Sequence, residues 1–287
     1  MAVKFFGQFL VERGVVSRET LRKALELQGS VNLKAGEIAV KMRHLNDSDV
    51  LRIHEAQRSE DLRFGEIAVR LGLLDEMQKK EILTWQRNHH LYIGEAIRRI
   101  CGLGEEDLER LLQEFRMDQA PCAREGSRLP QVVAEPQLWE MTADLTGKLL
   151  RRIADLPTRP GPCRIVDSLA GSEVRASMTF TGPASGRYLL SVSPATHNSI
   201  ARAILKKDDL SGETVEILDE ALRGFLGTIL GNLRAKSAEK GRLMEISPPS
   251  VSRLQAGIAV PPGHMGLLFP FHRGDGDLIE LALFIGQ

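Results

Sequence analysis

The first 115 residues repeat with a period of 29, and that regularity restricts this part of the chain to an array of like modules. Residues 5–28 read FFGQFLVERGVVSRETLRKALELQ, and residues 34–57 read KAGEIAVKMRHLNDSDVLRIHEAQ. Residues 63–86 read RFGEIAVRLGLLDEMQKKEILTWQ, and residues 92–115 read YIGEAIRRICGLGEEDLERLLQEF. Each unit is 24 residues long, each gap is five, and the register never slips. Gly7, Gly36, Gly65 and Gly94 head the units; Gln28, Gln57 and Gln86 close the first three, and Phe115 closes the fourth.

Each unit reads as a helical hairpin. A short first helix carries apolar residues at helical spacing, as Phe6, Phe9 and Leu10 do. A glycine such as Gly14 or Gly72 then ends it, because glycine takes the left-handed cap without a Cβ clash. Ser17 and Asp75 stand where the second helix starts, and Asp75 with Gln78 forms a capping box. The second helix presents Leu21, Ala24, Leu25 and Gln28 along one side. One hairpin is too small to bury its own apolar face, so four are expected to stack.

These units resemble the N-terminal repeats of type II secretion and type IV pilus ATPases, the MshEN domain. The shared pattern is Arg-Leu-Gly, an apolar pair, Gly, an apolar pair, then L-x-x-x-L-x-x-Q, with a five-residue spacer. The resemblance covers roughly residues 4–115 and implies cyclic di-GMP as a ligand, since some members bind it with two tandem units. An Arg can stack on guanine and bond its O6/N7 edge, while Gly admits close backbone approach. The leading Arg survives here only as Arg63; the other units have Phe5, Lys34 and Tyr92, and the second Gly is Arg43 in unit two and Cys101 in unit four. Units two and three keep the best pair of half-sites: Lys34, Gly36, Gln57, Arg63, Gly65 and Gln86. The same Gly and Gln residues have a purely structural reading, fixing turns and capping backbone groups. The ATPase motor that usually follows such repeats needs G-x-x-x-x-G-K-[ST], which is absent from the chain.

Past the repeats, residues 118–130 read as a linker within a stretch holding three prolines and a Gly-Ser pair. The expected organisation is a multidomain chain: an all-α repeat array over 1–117, the linker, and a second domain over 131–287. In that domain Pro136–Asp155, Thr196–Lys207 and Glu213–Lys240 read as helices. Cys163–Asp167, Val174–Thr181, Arg187–Ser193, Leu243–Ser247, Met265–His272 and Leu278–Ile285 read as strands. Gly274-Asp275-Gly276-Asp277 reads as a tight turn between the last two. Short meandering strands broken by long helices indicate an α+β fold with an antiparallel sheet.

The segment ETVEILDEALRGFLGTILGNLRAKSAEKGRLMEISPPSV resembles the CheX and CheC class of chemotaxis phosphatases. Gly231-Asn232 falls where that class has Gly-Asn late in its signature helix, and Met244–Pro249 falls where it has a strand running into a proline. The resemblance covers roughly residues 136–287. It implies an acid and, three residues on, an Asn that holds water in line with a regulator's phospho-aspartate. Counting back from Gly231, those two places hold Gly224 and Gly227, which have no side chain to position anything. Glu220 matches an acidic residue one turn earlier, and Arg223 lies beside it, but Arg has no acceptor to orient water. Gly224, Gly227 and Gly231 form one bare stripe, against which either a neighbouring element or a partner protein would lie.

Charge excludes one class of function. Lys plus Arg and Asp plus Glu are each 38, so no excess of basic residues is available to neutralise DNA or RNA phosphates. Three widely spaced cysteines, Cys101, Cys122 and Cys163, fit a reducing compartment, and no C-x-x-C pair suggests zinc. No apolar run is long enough for a membrane span, and the start lacks a signal-peptide pattern, so a cytoplasmic protein is expected. His89-His90 reads as a solvated helix end, and Trp85 and Trp139 read as core. The combined expectation is a bacterial signalling or adaptor protein with no cofactor, no metal and no catalytic centre. Its second domain would dock a response-regulator-like partner or a second copy through Glu220, Arg223, Gly224, Gly227 and Gly231. Two other readings stand beside it: a cyclic di-GMP effector using Lys34 and Arg63, and an aspartyl-phosphate phosphatase using Glu220.

Overall fold

The computed structural model describes residues 3–125, 129–130, 133, 135–182, 184–253 and 256–286. The chain divides into two compact units, Phe5–Asp118 and Met1–Lys4 with Gln119–Gln287.

The first unit is built from four helical hairpins: α1 (Phe6–Glu12) with α2 (Arg18–Val31), α3 (Ala35–Lys41) with α4 (Asp47–Ser59), α5 (Phe64–Arg70) with α6 (Glu76–Asn88), and α7 (Ile93–Cys101) with α8 (Glu105–Glu125), whose last turns, from Gln119, belong to the second unit. The second helices start at side-chain caps: Ser17 Oγ accepts from Thr20 N–H, Asn46 from Asp49, and Asp75 from Gln78 at 2.7 Å. Gln78 returns the bond to Asp75 N–H at 2.9 Å, completing that capping box. Each repeat Gly faces the second helix of its own hairpin. A Cβ at Gly7, Gly36, Gly65 or Gly94 would meet Leu21, Val50, Lys79 or Leu108, in every case the residue 14 positions on.

The hairpins do not form one stack. They form two nested pairs with separate cores. Hairpin one packs on hairpin four through Phe6, Phe9, Leu10, Ala24, Ile97 and Phe115, and hairpin two packs on hairpin three through Ile38, Ala39, Ile53, Ile67, Ala68 and Ile82. The residue before the repeat Gly takes part in this pairing. It is Phe6 in unit one and Phe64 in unit three, but Ala35 and Ile93 in the others. Phe64 lies over Gly36, with ring carbons 3.3 Å from a Cβ there, and Phe6 lies over Gly94 in the same way. Each pair therefore joins an aromatic-bearing hairpin to a hairpin whose Gly leaves room for the ring.

Helix α8 runs to Glu125, so residues 118–125, expected as irregular linker, are helical and include Pro121. The buried stripe Leu111, Phe115, Gln119 and Cys122 continues through them at helical spacing, which explains the extension. Residues 126–128, 131–132 and 134 of the expected linker region lie outside the described residues; Val133 is buried in the core of the second unit.

The second unit is α+β. Its eight-stranded antiparallel sheet has the order β1 (Thr158–Pro160), β9 (His264–Arg273), β10 (Leu278–Gly286), β5 (Gly186–Val192), β4 (Val174–Thr181), β6 (Glu245–Ile246). In addition β2 (Arg164–Val166) pairs with β9, and β7 (Ser250–Ser252) with β4. Helices α9 (Pro136–Arg152) and α11 (Val215–Glu239) cover one face; α10 (Pro194–Leu205) packs on α11. Alternation along the strands sends Ala176, Met178, Tyr188, Leu190, Leu267, Phe269, Leu281 and Leu283 into the helix-covered core, with Trp139 and Leu145 of α9. The opposite face holds a smaller core of Leu189, Leu268, Ala282 and Phe284 beneath the ribbon of β3 (Ser168–Leu169) and β8 (Ile258–Ala259). Residues 274–277 form the turn between β9 and β10, and the Asp277 carboxylate accepts hydrogen bonds from the Ser193 and Thr196 hydroxyls at the start of α10. Lys4 belongs to this unit: its N–H donates to Gln119 Oε1 and its carbonyl accepts from Arg159 Nη1, both at 2.9 Å.

Candidate functional site

Helix α11 is long, and its two sides differ in kind. Leu222, Phe225, Leu226, Ile229, Leu230 and Leu233 are buried against the sheet. The outer side carries Glu220, Gly224, Gly227 and Gly231 at helical spacing. Among the described residues, no atom beyond the helix's own backbone comes within 4 Å of a Cβ placed at any of these three glycines. Of the two readings of the stripe, packing by a neighbouring element within the chain therefore finds no neighbour, and the face stands open. Each glycine costs about 1 kcal/mol of helix propensity relative to Ala.

The polar groups on this side are bonded along the helix. Arg223 grips the exposed Glu220 carboxylate through Nε at 2.9 Å and Nη2 at 2.8 Å. Thr228 Oγ1 donates to the Gly224 carbonyl at 3.0 Å, and Asn232 Nδ2 donates to the Thr228 carbonyl at 2.9 Å. Asn232 is buried and so faces away from the open side. Gly224 and Gly227, the places expected from the sequence to hold an acid and an amide, present backbone only, and the Glu220 carboxylate is engaged by a guanidinium.

Behind the first turns of α11 lies a network that the residue pattern did not reveal. His197 of α10 is buried, and its Nε2 donates to the Leu218 carbonyl at 3.0 Å with Asp219 Oδ1 at 3.3 Å. Asp219 also pairs with Arg253 Nη2 at 2.5 Å. Burial pushes the His197 imidazole below its ordinary pKa, outweighing the opposite effects of the Leu218 carbonyl and Asp219. A neutral imidazole with its proton on Nε2 fits the bond it makes. The network fixes the N-terminal part of α11 on α10, which orients Glu220 outward. Its one sequence trace is the acid Asp219 beside Glu220.

In the hairpin unit, the six residues expected for a nucleotide fall into two groups. Lys34 and Arg63 are exposed N-caps of α3 and α5, with their N–H groups taken by Glu37 and Glu66 carboxylates at 2.6 Å. Gly36 and Gly65 face the second helices of their own hairpins, as described above. Gln57 is buried and donates to the Leu62 carbonyl at 3.4 Å; Gln86 donates to the Leu33 carbonyl at 3.1 Å. Gln28 likewise donates to the Leu91 carbonyl at 3.0 Å. Each repeat Gln therefore ties its hairpin to the backbone just before the leading residue of the partner hairpin. The structural role accounts for Gly and Gln, and leaves Lys34 and Arg63 as the two members of the set whose side chains lie at the surface.

Among the described residues no three His, Cys, Asp or Glu side chains gather as for a metal ion, and no helix is long and apolar enough to cross a membrane.

Comparison with known proteins bears on the second unit. The family profile for "Chemotaxis phosphatase CheX" matches residues 174–272, which include all of α11. No curated protein gives a significant match. Among solved structures, a chemotaxis protein CheX from Desulfovibrio desulfuricans is 18% identical, over 52% of this chain and 99% of its own, with a TM-score of 0.46. A CheC-like superfamily protein from Shewanella sp. PV-4 is 16% identical, over 54% of this chain and 100% of its own, at 0.48. The CheX of a CheX–CheY–BeF3–Mg complex from Borrelia burgdorferi is 22% identical, over 52% and 98%, at 0.43. Residues 174–272, and α11 within them, are CheX-like.

Proposed function

We propose that the second unit is a docking domain for a response-regulator-like protein and does not hydrolyse the regulator's aspartyl phosphate. The observation that supports this reading is the open outer face of α11, with Gly224 and Gly227 at the two places where the resemblance to the CheX class implies an acid and an amide. Docking draws on the area of a whole helix face; turnover draws on one acid and one amide held in line with the phosphorus. The first survives the loss of two side chains and the second does not. That a CheX–CheY complex is among the solved relatives supports the regulator as the kind of partner. The test is a titration of the chain with a beryllofluoride-loaded regulator. Saturable binding that Gly227→Arg abolishes is expected, since the substitution plants a long side chain on the stripe. Absence of binding, or binding indifferent to Gly227→Arg, contradicts the reading.

A second reading concerns the hairpins. Units two and three pair with each other, and Lys34 and Arg63 are exposed at equivalent N-caps of that pair. Cyclic di-GMP bound there would lose affinity on Lys34→Ala and on Arg63→Ala, each removing a contact worth about 1–3 kcal/mol. Calorimetry without heat at high micromolar ligand ends this reading.

A further inference from the structure

A cavity of about 580 Å³ opens at the joint between the two hairpin pairs, lined among others by Lys41, Trp85, His89, Tyr92, Glu95 and Arg99. None of Lys34, Gly36, Gln57, Arg63, Gly65 or Gln86 lines it. We propose that this cavity binds a planar aromatic molecule bearing a carboxylate or a phosphate.

Three features carry the inference. The first is size, since small-molecule sites enclose about 300–1,000 Å³. The second is the aromatic wall. His89 stacks on Trp85 with ring centroids 4.1 Å apart, and His90 meets Tyr92 in a T-shaped contact at 4.6 Å. Tyr92 is nevertheless 68% exposed, a large ring held at a cavity mouth with no apolar cover. An aromatic ring so placed offers a stacking surface to a planar ligand. The third is charge. Lys41 Nζ sits 4.9 Å from the Trp85 centroid, and Arg99 of α7 also lines the cavity. The lone lining carboxylate, Glu95, is shared by Arg98 and Arg99, whose hydrogen bonds pull its carboxyl down to about 2. One guanidinium and one ammonium against one carboxylate leave the lining positive.

Unit four departs from the repeat at this spot. In units one to three the side chain after the repeat Gly accepts the leading residue's N–H: Gln8 from Phe5, Glu37 from Lys34, Glu66 from Arg63. In unit four Glu95 turns to the arginines, and Tyr92 at the start of α7 has no side-chain cap. The rim is held in place from the other hairpin: Leu91 N–H donates to Asn32 Oδ1 at 2.7 Å, and its carbonyl accepts from both Gln28 and Asn32 at 3.0 Å. The ligand's anion would take the place that the cap leaves.

The chain supplies its own reporter. It has two tryptophans, Trp85 in this cavity and Trp139, which is 1% exposed in the core of the other unit. Emission from the full chain, excited to favour tryptophan, is followed during titration with adenosine monophosphate and, separately, benzoate; adenosine and ribose 5-phosphate serve as probes lacking the anion or the ring. A saturable change with adenosine monophosphate or benzoate is expected, with the winner separating phosphate from carboxylate as the natural anion. Tyr92→Ala, at an exposed position, and Lys41→Met should each weaken it about tenfold. No saturable change up to about 1 mM of either probe overturns the proposal. So does adenosine binding as well as the monophosphate, or binding that neither substitution weakens.

Discussion

Glycines recur on helices in both units, and their surroundings are opposite. In the hairpins a Cβ at Gly36 would come within 3.2 Å of Val50 and 3.3 Å of Phe64, and one at Gly94 within 3.0 Å of Leu108 and 3.3 Å of Phe6. These glycines are the space into which a neighbouring side chain fits, and their cost in helix propensity is offset by packing. On α11 the cost is the same and nothing among the described residues offsets it, because no neighbour stands within 4 Å of a Cβ at Gly224, Gly227 or Gly231. The comparison teaches that a glycine in a helix is read by what stands opposite it. Where a partner residue stands there, the glycine belongs to the fold. Where none does, its reason lies outside the folded chain.

Substitutions can break that contrast. The largest effect is expected from changing Gly224, Gly227 and Gly231 together to Ala, which should stabilise the chain by about 2–3 kcal/mol, from about 1 kcal/mol at each open helix position. Chemical denaturation of the full chain measures it, and a loss of stability would mean that something covers the stripe. Next in size and opposite in sign is Gly94→Val. Added methyls there press on Leu108 and Phe6, and overpacking of this kind costs about 1–3 kcal/mol. An unchanged denaturation midpoint would show that the hairpin pair can yield. The smallest effect is at Arg43, which holds φ at 60° where Gly14 and Gly72 hold the same left-handed turn at 70° and 68°. Arg43→Gly should gain up to about 1 kcal/mol by relieving that strain, and no gain would mean the arginine's own contacts compensate.

Much of the architecture was legible in the residues. The hairpins, their caps and the long α11 follow from spacing and cap chemistry, and β4 runs over Val174–Thr181 as its alternation predicts. The pairing of the hairpins was not, because every unit has a similar apolar face and a period says nothing of which faces meet. One residue, Phe6 and Phe64 against Ala35 and Ile93, separates ring-bearing from ring-accepting hairpins, but it does not choose between their two possible partners. In unit four the left-handed turn moves from position 101 to Gly102, so the departure at Cys101 is a shifted cap with α7 longer by two residues than α1. The short strands β1, β3, β7 and β8 escaped because two or three residues carry no periodicity. That Glu220, Gly224 and Gly227 share one face of α11 follows from helical spacing, while the support from His197 and Arg253 is long-range and leaves no local pattern.

Docking without turnover is tested most directly by the decay of a phosphorylated response regulator in the presence of the chain. With no carboxylate at position 224 and no amide at 227, the phosphate is expected to disappear at the regulator's own intrinsic rate, whether or not the two proteins associate. A strong acceleration that Glu220→Ala abolishes would contradict the account and place the working acid one turn earlier on α11.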